Sequence, residues 1–169
     1  MRTCSETGGL MRSALLAAAA AALCVSTLVQ AAPATQQSAA KQIERGRYLV
    51  RIAGCNDCHT PGYAASGGKV AEKDWLVGDR LGFSGPWGTT YAGNLRLLVS
   101  QMTQQQWLAR ARSEMRPPMP TPSLHHMRQD DLKAIYRYIA SLGPKGEPAP
   151  AYLPPGSVPT GPAVVFPNP

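Results

Sequence analysis

The sequence predicts a mainly α fold: three main helices, a long glycine-rich loop and an extended proline-rich C-terminal tail. Three observations predict it. Apolar residues recur at helical spacing in residues 41–53, 103–113 and 129–142. Sixteen Gly and sixteen Pro, together about a fifth of the 169 residues, exclude one continuous helical bundle. No strand–helix alternation is visible between these stretches. The length allows one ordinary domain. With 16% charged and 44% hydrophobic residues, the chain is neither a disordered polyelectrolyte nor a polytopic membrane protein.

The first segment stands apart from the fold. Arg2 and Arg12 precede an uncharged run of Ala and Leu from Ala14 to Val29, and Val29-Gln30-Ala31 offers small residues at signal-peptidase spacing. Residues 1–31 therefore read as a secretory signal peptide cleaved after Ala31, with Ala32-Pro33-Ala34 as a second choice. An uncleaved anchor is the rival. Sixteen residues dominated by Ala fall short of the ~20 that span comfortably. Leu23 before Cys24 argues against a lipoprotein site. Cleavage would leave 138 residues, lower the net charge from +7 to +6 and remove Cys4 and Cys24.

Residues 32–40 read as a flexible leader of Ala, Gln, Ser, Thr and Pro. From Lys41 to Ala53, Ile43, Val50 and Ala53 share a helical stripe with Gly46. Gly costs a helix about 1 kcal/mol relative to Ala, so Gly46 points to close contact with another element. Residues 60–100 carry eight glycines among Trp75, Trp87 and Tyr91, and read as an ordered loop with a turn or two of helix. Thr103 caps a short helix to about Ser113, with Trp107, Leu108 and Ala111 inward. Residues 116–122, Arg-Pro-Pro-Met-Pro-Thr-Pro, are expected to be non-helical. Gln129-Asp130-Asp131 opens the clearest helix, with Leu132, Ile135, Tyr136, Ile139 and Leu142 on one face, and Gly143-Pro144 ends it. Residues 144–169, rich in proline, form an extended tail and not a second domain.

The chemistry lies in Cys55-Asn56-Asp57-Cys58-His59. This C-x-x-C-H run is the attachment signature of c-type haem, and arises by chance in a chain of this composition about two times in a thousand. Two thiols three residues apart reach the two vinyl groups of a porphyrin, and the adjacent His presents an imidazole to the iron. Other uses of the pair fit less well. Zinc wants four ligands in a tetrahedron, and no second C-x-x-C exists. A redox dithiol wants a βαβ setting. A plain disulfide leaves His59 unexplained. Candidates for the sixth iron ligand are Met115, Met119, Met127, His125 and His126. Met119 leads, because Pro118 and Pro120 stiffen its loop and the final helix begins about ten residues later. His125-His126 read as an exposed polar turn.

The order helix, C-x-x-C-H, glycine-rich loop, Pro-Met-Pro, then Asp-Asp-Leu-Lys-Ala-Ile-Tyr-Arg-Tyr-Ile resembles the monohaem class I type c cytochromes over roughly residues 41–143. More narrowly, three segments are similar to bacterial periplasmic cytochrome subunits of alcohol and aldehyde dehydrogenases. They are Gly46-Arg47-Tyr48-Leu49-Val50, Gly85-Pro86-Trp87-Gly88-Thr89 with Asn94-Leu95, and Arg116-Pro117-Pro118-Met119-Pro120. Those subunits often carry several haems, whereas this chain has one motif. The resemblance implies a cytochrome c fold of three main helices around one covalent haem. It also implies that the first and last helices cross at Gly46, near Ile135 and Tyr138, and that Leu95 and Trp87 line the haem pocket.

An iron held by His59 and Met119 has no open site, and the thioether raises its potential relative to bis-histidine ligation. The expected function is that of a periplasmic electron-transfer cytochrome and not an enzyme, either a soluble carrier or the cytochrome subunit of a dehydrogenase. The alternative, a catalytic or gas-sensing haem protein, requires an open or weakly held sixth position. The expected partners are a redox donor and acceptor, such as a periplasmic dehydrogenase or terminal oxidase. Basic residues are spread along the chain, with Arg110, Arg112 and Arg116 the one cluster, which suits acidic redox proteins better than nucleic acid. No stable membrane anchor is expected.

Overall fold

A computed structural model describes residues 34–167; the expected signal peptide, with Cys4 and Cys24, lies outside them. The fold is mainly helical, and the chain from Thr35 onward forms one compact unit that includes the tail. Helix α1 (Ala34–Ile52) starts seven residues before Lys41, so most of the expected leader is helical. Its first twelve residues contain neither Gly nor Pro, and Ala and Gln are good helix formers. After Gly54 comes α2 (Cys55–His59), a single turn that carries the motif.

The core is built around α6 (Gln129–Leu142), which buries Leu132, Ala134, Ile135, Tyr138 and Ile139 as its apolar spacing demands. Leucine and isoleucine side chains each contribute about 1.5–3 kcal/mol when fully buried. Helix α1 meets this face at Gly46, where a Cβ would stand 2.1 Å from the Ala134 carbonyl oxygen and 2.7 Å from the Tyr138 Cβ. Arg45 Nε donates to Asp131 at 2.7 Å and secures the crossing at the start of α6. Two shorter helices, α3 (Leu95–Ser100) and α4 (Gln104–Ala111), also pack on α6. Thr103 caps α4 in a reciprocal box with Gln106, and Trp107 Nε1 donates to the Leu132 carbonyl at 2.9 Å.

The glycine-rich region holds more order than expected. Besides α3 it contains β1 (Gly82–Gly85) and β2 (Gly88–Tyr91), an antiparallel hairpin turning at Pro86-Trp87. The tail returns as β3 (Ala163–Val165), parallel to β1, giving the sheet order β2-β1-β3. Strands of three or four residues are too short to show a two-residue period, and the β1–β3 pairing is remote in sequence. Gly88, at φ 93°, lets the tail approach: a Cβ there would lie 2.2 Å from the Leu153 carbonyl oxygen. Helix α5 (Thr121–His126) corrects a second expectation, since Thr121 and Pro122 are helical. Proline is accommodated in a first turn, where its missing N–H has no partner to lose.

Two polar residues tie the end of α6 to this frame. Asn94 caps α3, accepting from the Arg96 and Leu97 amides, and donates to the carbonyls of Lys145 and Glu147. Buried Arg96 donates to the carbonyls of Gly143 at 2.6 Å, Lys73 at 2.8 Å and Leu142. It thus satisfies carbonyls that a helix end leaves without partners. Replacing Arg96 with Ala is expected to lower the unfolding free energy by about 3 kcal/mol, read by denaturant titration, because these acceptors lose their donor. A change under about 1 kcal/mol would mean that water replaces the guanidinium freely. Among the described residues no helix is long and apolar enough to cross a membrane.

Candidate cofactor site

A cleft of about 740 Å³ opens between α2, α6 and the loops that face them. Its size lies within the range of about 300–1,000 Å³ usual for cofactor pockets. Ile135 and Ile139 of α6, Leu95 and Leu98 of α3, and Trp107 and Ala111 of α4 supply apolar walls. Cys55, Cys58 and His59 reach it from α2, and Met115 and Met119 from the loop between α4 and α5. The expected thiols, imidazole and leading thioether therefore line one cavity. Met127 packs among core residues instead, and neither His125 nor His126 lines the cleft. The two histidines end α5, where His126 Nδ1 donates to the Pro122 carbonyl at 2.7 Å.

His59 is oriented by its surroundings. Nδ1 lies 2.7 Å from the Gly93 carbonyl oxygen, which can only accept, so Nδ1 carries the proton and the Nε2 lone pair is left free. Burial lowers the imidazole pKa, opposed by this hydrogen bond, so the ring is neutral at neutral pH and able to ligate a metal. The backbone holds it too: the Gly78 amide donates to the His59 carbonyl at 2.9 Å. Inside the motif, Thr60 Oγ1 donates to Asn56 Oδ1 at 2.8 Å and accepts from the Leu76 amide at 2.8 Å, locking the turn to the loop.

Cys55 and Cys58 do not pair as a disulfide. Burial pushes Cys55 up to about 11, and burial followed by the Asp57 charge raises Cys58. Neither is an activated thiolate, the state a redox dithiol needs. Nor do the described residues contain any group of three or more His, Cys, Asp or Glu that could hold a metal ion. The donor set fits one use well: two neutral thiols and a neutral imidazole at one side of an apolar cleft of cofactor size.

The Met119 loop is held by its neighbours. The Met119 amide donates to the Arg116 carbonyl at 3.3 Å, and Thr90 Oγ1 donates to the Pro117 carbonyl at 2.7 Å. Leu95 lines the cleft as the resemblance implied, but Trp87 does not. Trp87 instead packs on Phe166 of the tail, ring centres 5.3 Å apart, and donates from Nε1 to the Phe83 carbonyl. Sequence reasoning also missed Gly93, Pro150 and Tyr152. Gly93 gives no side-chain signal, and a proline-rich tail does not announce its docking site.

A small helical fold closing an apolar cleft around C-x-x-C-H defines a protein that binds haem through its own thiols. The chain belongs to the cytochrome c family, whose pattern matches residues 43–143. Membership makes it a haem-based electron-transfer protein, and the family implies covalently bound haem c; Cys55 and Cys58 stand at the C-x-x-C-H spacing. The chain is also similar to a nicotinate dehydrogenase subunit of Pseudomonas putida, 27% identical over 130 residues. That match covers 70% of this chain but only 10% of the relative's length. No solved structure matches the chain.

Proposed function

We propose that the protein is a periplasmic cytochrome that carries single electrons through one haem c, with His59 and Met119 as axial ligands. Cys55 and Cys58 anchor the group, which supplies a one-electron iron couple when bound. The observation that carries this reading is that His59 and Met119 line the same apolar cleft. His59 offers a free Nε2 lone pair, and the proline-flanked Met119 loop is pinned from Thr90. Two axial side chains leave no coordination position for a substrate, so the residues serve electron transfer and not catalysis. Export rests on the apolar, Arg-flanked N-terminus, which is the context in which a C-x-x-C-H pair acquires haem.

The P. putida relative is named as a dehydrogenase subunit, which favours the cytochrome subunit of a dehydrogenase over a freely diffusing carrier. The redox partner is then a dehydrogenase that hands over electrons, and the acceptor a second redox protein such as a terminal oxidase. The test is the visible spectrum of the purified holoprotein. The oxidised form should show the far-red methionine–iron band with one haem per chain, and the reduced form should bind CO slowly at neutral pH. Rapid CO binding without that band would favour a gas-sensing or catalytic haem.

A further inference from the structure

The tail lies beyond residues 43–143, where the family pattern matches, yet it returns to the cleft. Pro150 and Tyr152 form part of the cleft wall together with Arg116 and Met119. The Arg116 guanidinium carbon sits 4.0 Å above the centre of the Tyr152 ring. The Tyr152 hydroxyl donates to the Trp87 carbonyl at 2.8 Å. The next residue, Leu153, exchanges backbone hydrogen bonds with Thr89 at 2.8 and 3.0 Å. Thr90 then holds Pro117 from the same strand. Arg116 and Pro117, which lead into Met119, are thus gripped at two adjacent points by one unit of hairpin and tail.

The grip bears on Met119 because the segment between is short and stiff. Met119 is hydrogen-bonded back to Arg116 through the backbone, with Pro117 and Pro118 between them. Proline fixes one backbone torsion at each of these positions, so displacement of Arg116 is passed on to Met119 and not absorbed. We propose that Tyr152 is a positioning residue: the C-terminal tail clamps the methionine loop through the Tyr152–Arg116 contact and sets how firmly the Met119 thioether is retained in the cleft. This rests on Met119 being the sixth ligand. A tail that merely covers the sheet would stabilise the fold without controlling the iron's sixth position.

The test uses full-length holoprotein carrying Tyr152→Phe, Tyr152→Leu or Arg116→Gln. Haem content and far-ultraviolet circular dichroism serve as controls. Tyr152→Phe keeps the ring beneath the guanidinium and should retain the far-red methionine–iron band. Tyr152→Leu and Arg116→Gln should weaken that band and speed CO binding to the reduced protein by about two- to fivefold, the population equivalent of one exposed cation–ring contact, since CO enters only when methionine leaves. Arg116 is exposed, so Arg116→Gln decides the matter if Tyr152→Leu does not fold. A wild-type band and CO rate in a folded, haem-loaded Arg116→Gln protein would overturn the proposal. Failure of the ligand reading would look different: the band would be missing from the wild type itself, or it would survive Met119→Ala and vanish in Met115→Ala.

Discussion

Replacing Met119 with Ala is expected to abolish the far-red methionine–iron band of the oxidised protein and to open the reduced iron to rapid CO binding. The reduction potential should fall, because thioether ligation favours the reduced iron. The attachment proposed at Cys55 and Cys58 would not depend on the sixth ligand, so haem content should be unchanged. Some stability should be lost as well. Met119 is half-buried beside Leu124 and Leu132, so the truncation belongs at the low end of the range for Met→Ala, about 2 kcal/mol. Met115 supplies the control, since it lines the same cleft four residues away. Met115→Ala should keep the band. If the two variants exchange behaviours, Met115 is the ligand and the assignment of Met119 is wrong.

Gly46→Ala is expected to cost about 3 kcal/mol or more of stability, read as a lower midpoint in denaturant titration of the holoprotein. In an isolated helix the change would be favourable by about 1 kcal/mol. Here the added carbon would lie 2.1 Å from the oxygen and 2.6 Å from the carbon of the Ala134 carbonyl, and backbone inside α6 cannot step aside. Helix α1 would have to retreat, loosening Leu49 and Val50 from the core they share with Tyr138 and Ile139. The same helix α6 presents Ile135 and Ile139 to the cleft, so the haem absorption should shift as well. An unchanged or higher midpoint would show that the crossing tolerates separation.

The parts legible in the sequence are those whose cause is local. C-x-x-C-H is five consecutive residues, and the long apolar face of α6 repeats within its own length. The conflict at Gly46, a poor helix former on an apolar stripe, signalled a close crossing, and the structure places Ala134 and Tyr138 there. What escaped depends on distant partners. The β1–β3 pairing joins residues about 80 positions apart, and neither strand shows a period. Trp87 is the clearest case: its neighbours resemble a haem-pocket segment, but Phe166 of the tail takes up its ring. Asn94 ahead of Leu95 is an N-cap residue type, a signal that the expectations above did not use. The reach of the Arg96 guanidinium to the end of α6 was not readable, because the contact exists only after the chain has folded back.

The parallel β1–β3 pairing also makes one wall of the cleft the last to be completed. The attachment thiols precede Tyr152 by about 90 residues, so they emerge from any membrane crossing well ahead of the tail. The sheet cannot be completed until the residues of β3 exist, and it then has to close a loop of about 80 residues against the chain's entropy. Through that interval the cleft lacks the wall that Pro150 and Tyr152 provide. A flat macrocycle joined to Cys55 and Cys58 before the tail docks would enter from the tail's side, with no later opening of the finished fold.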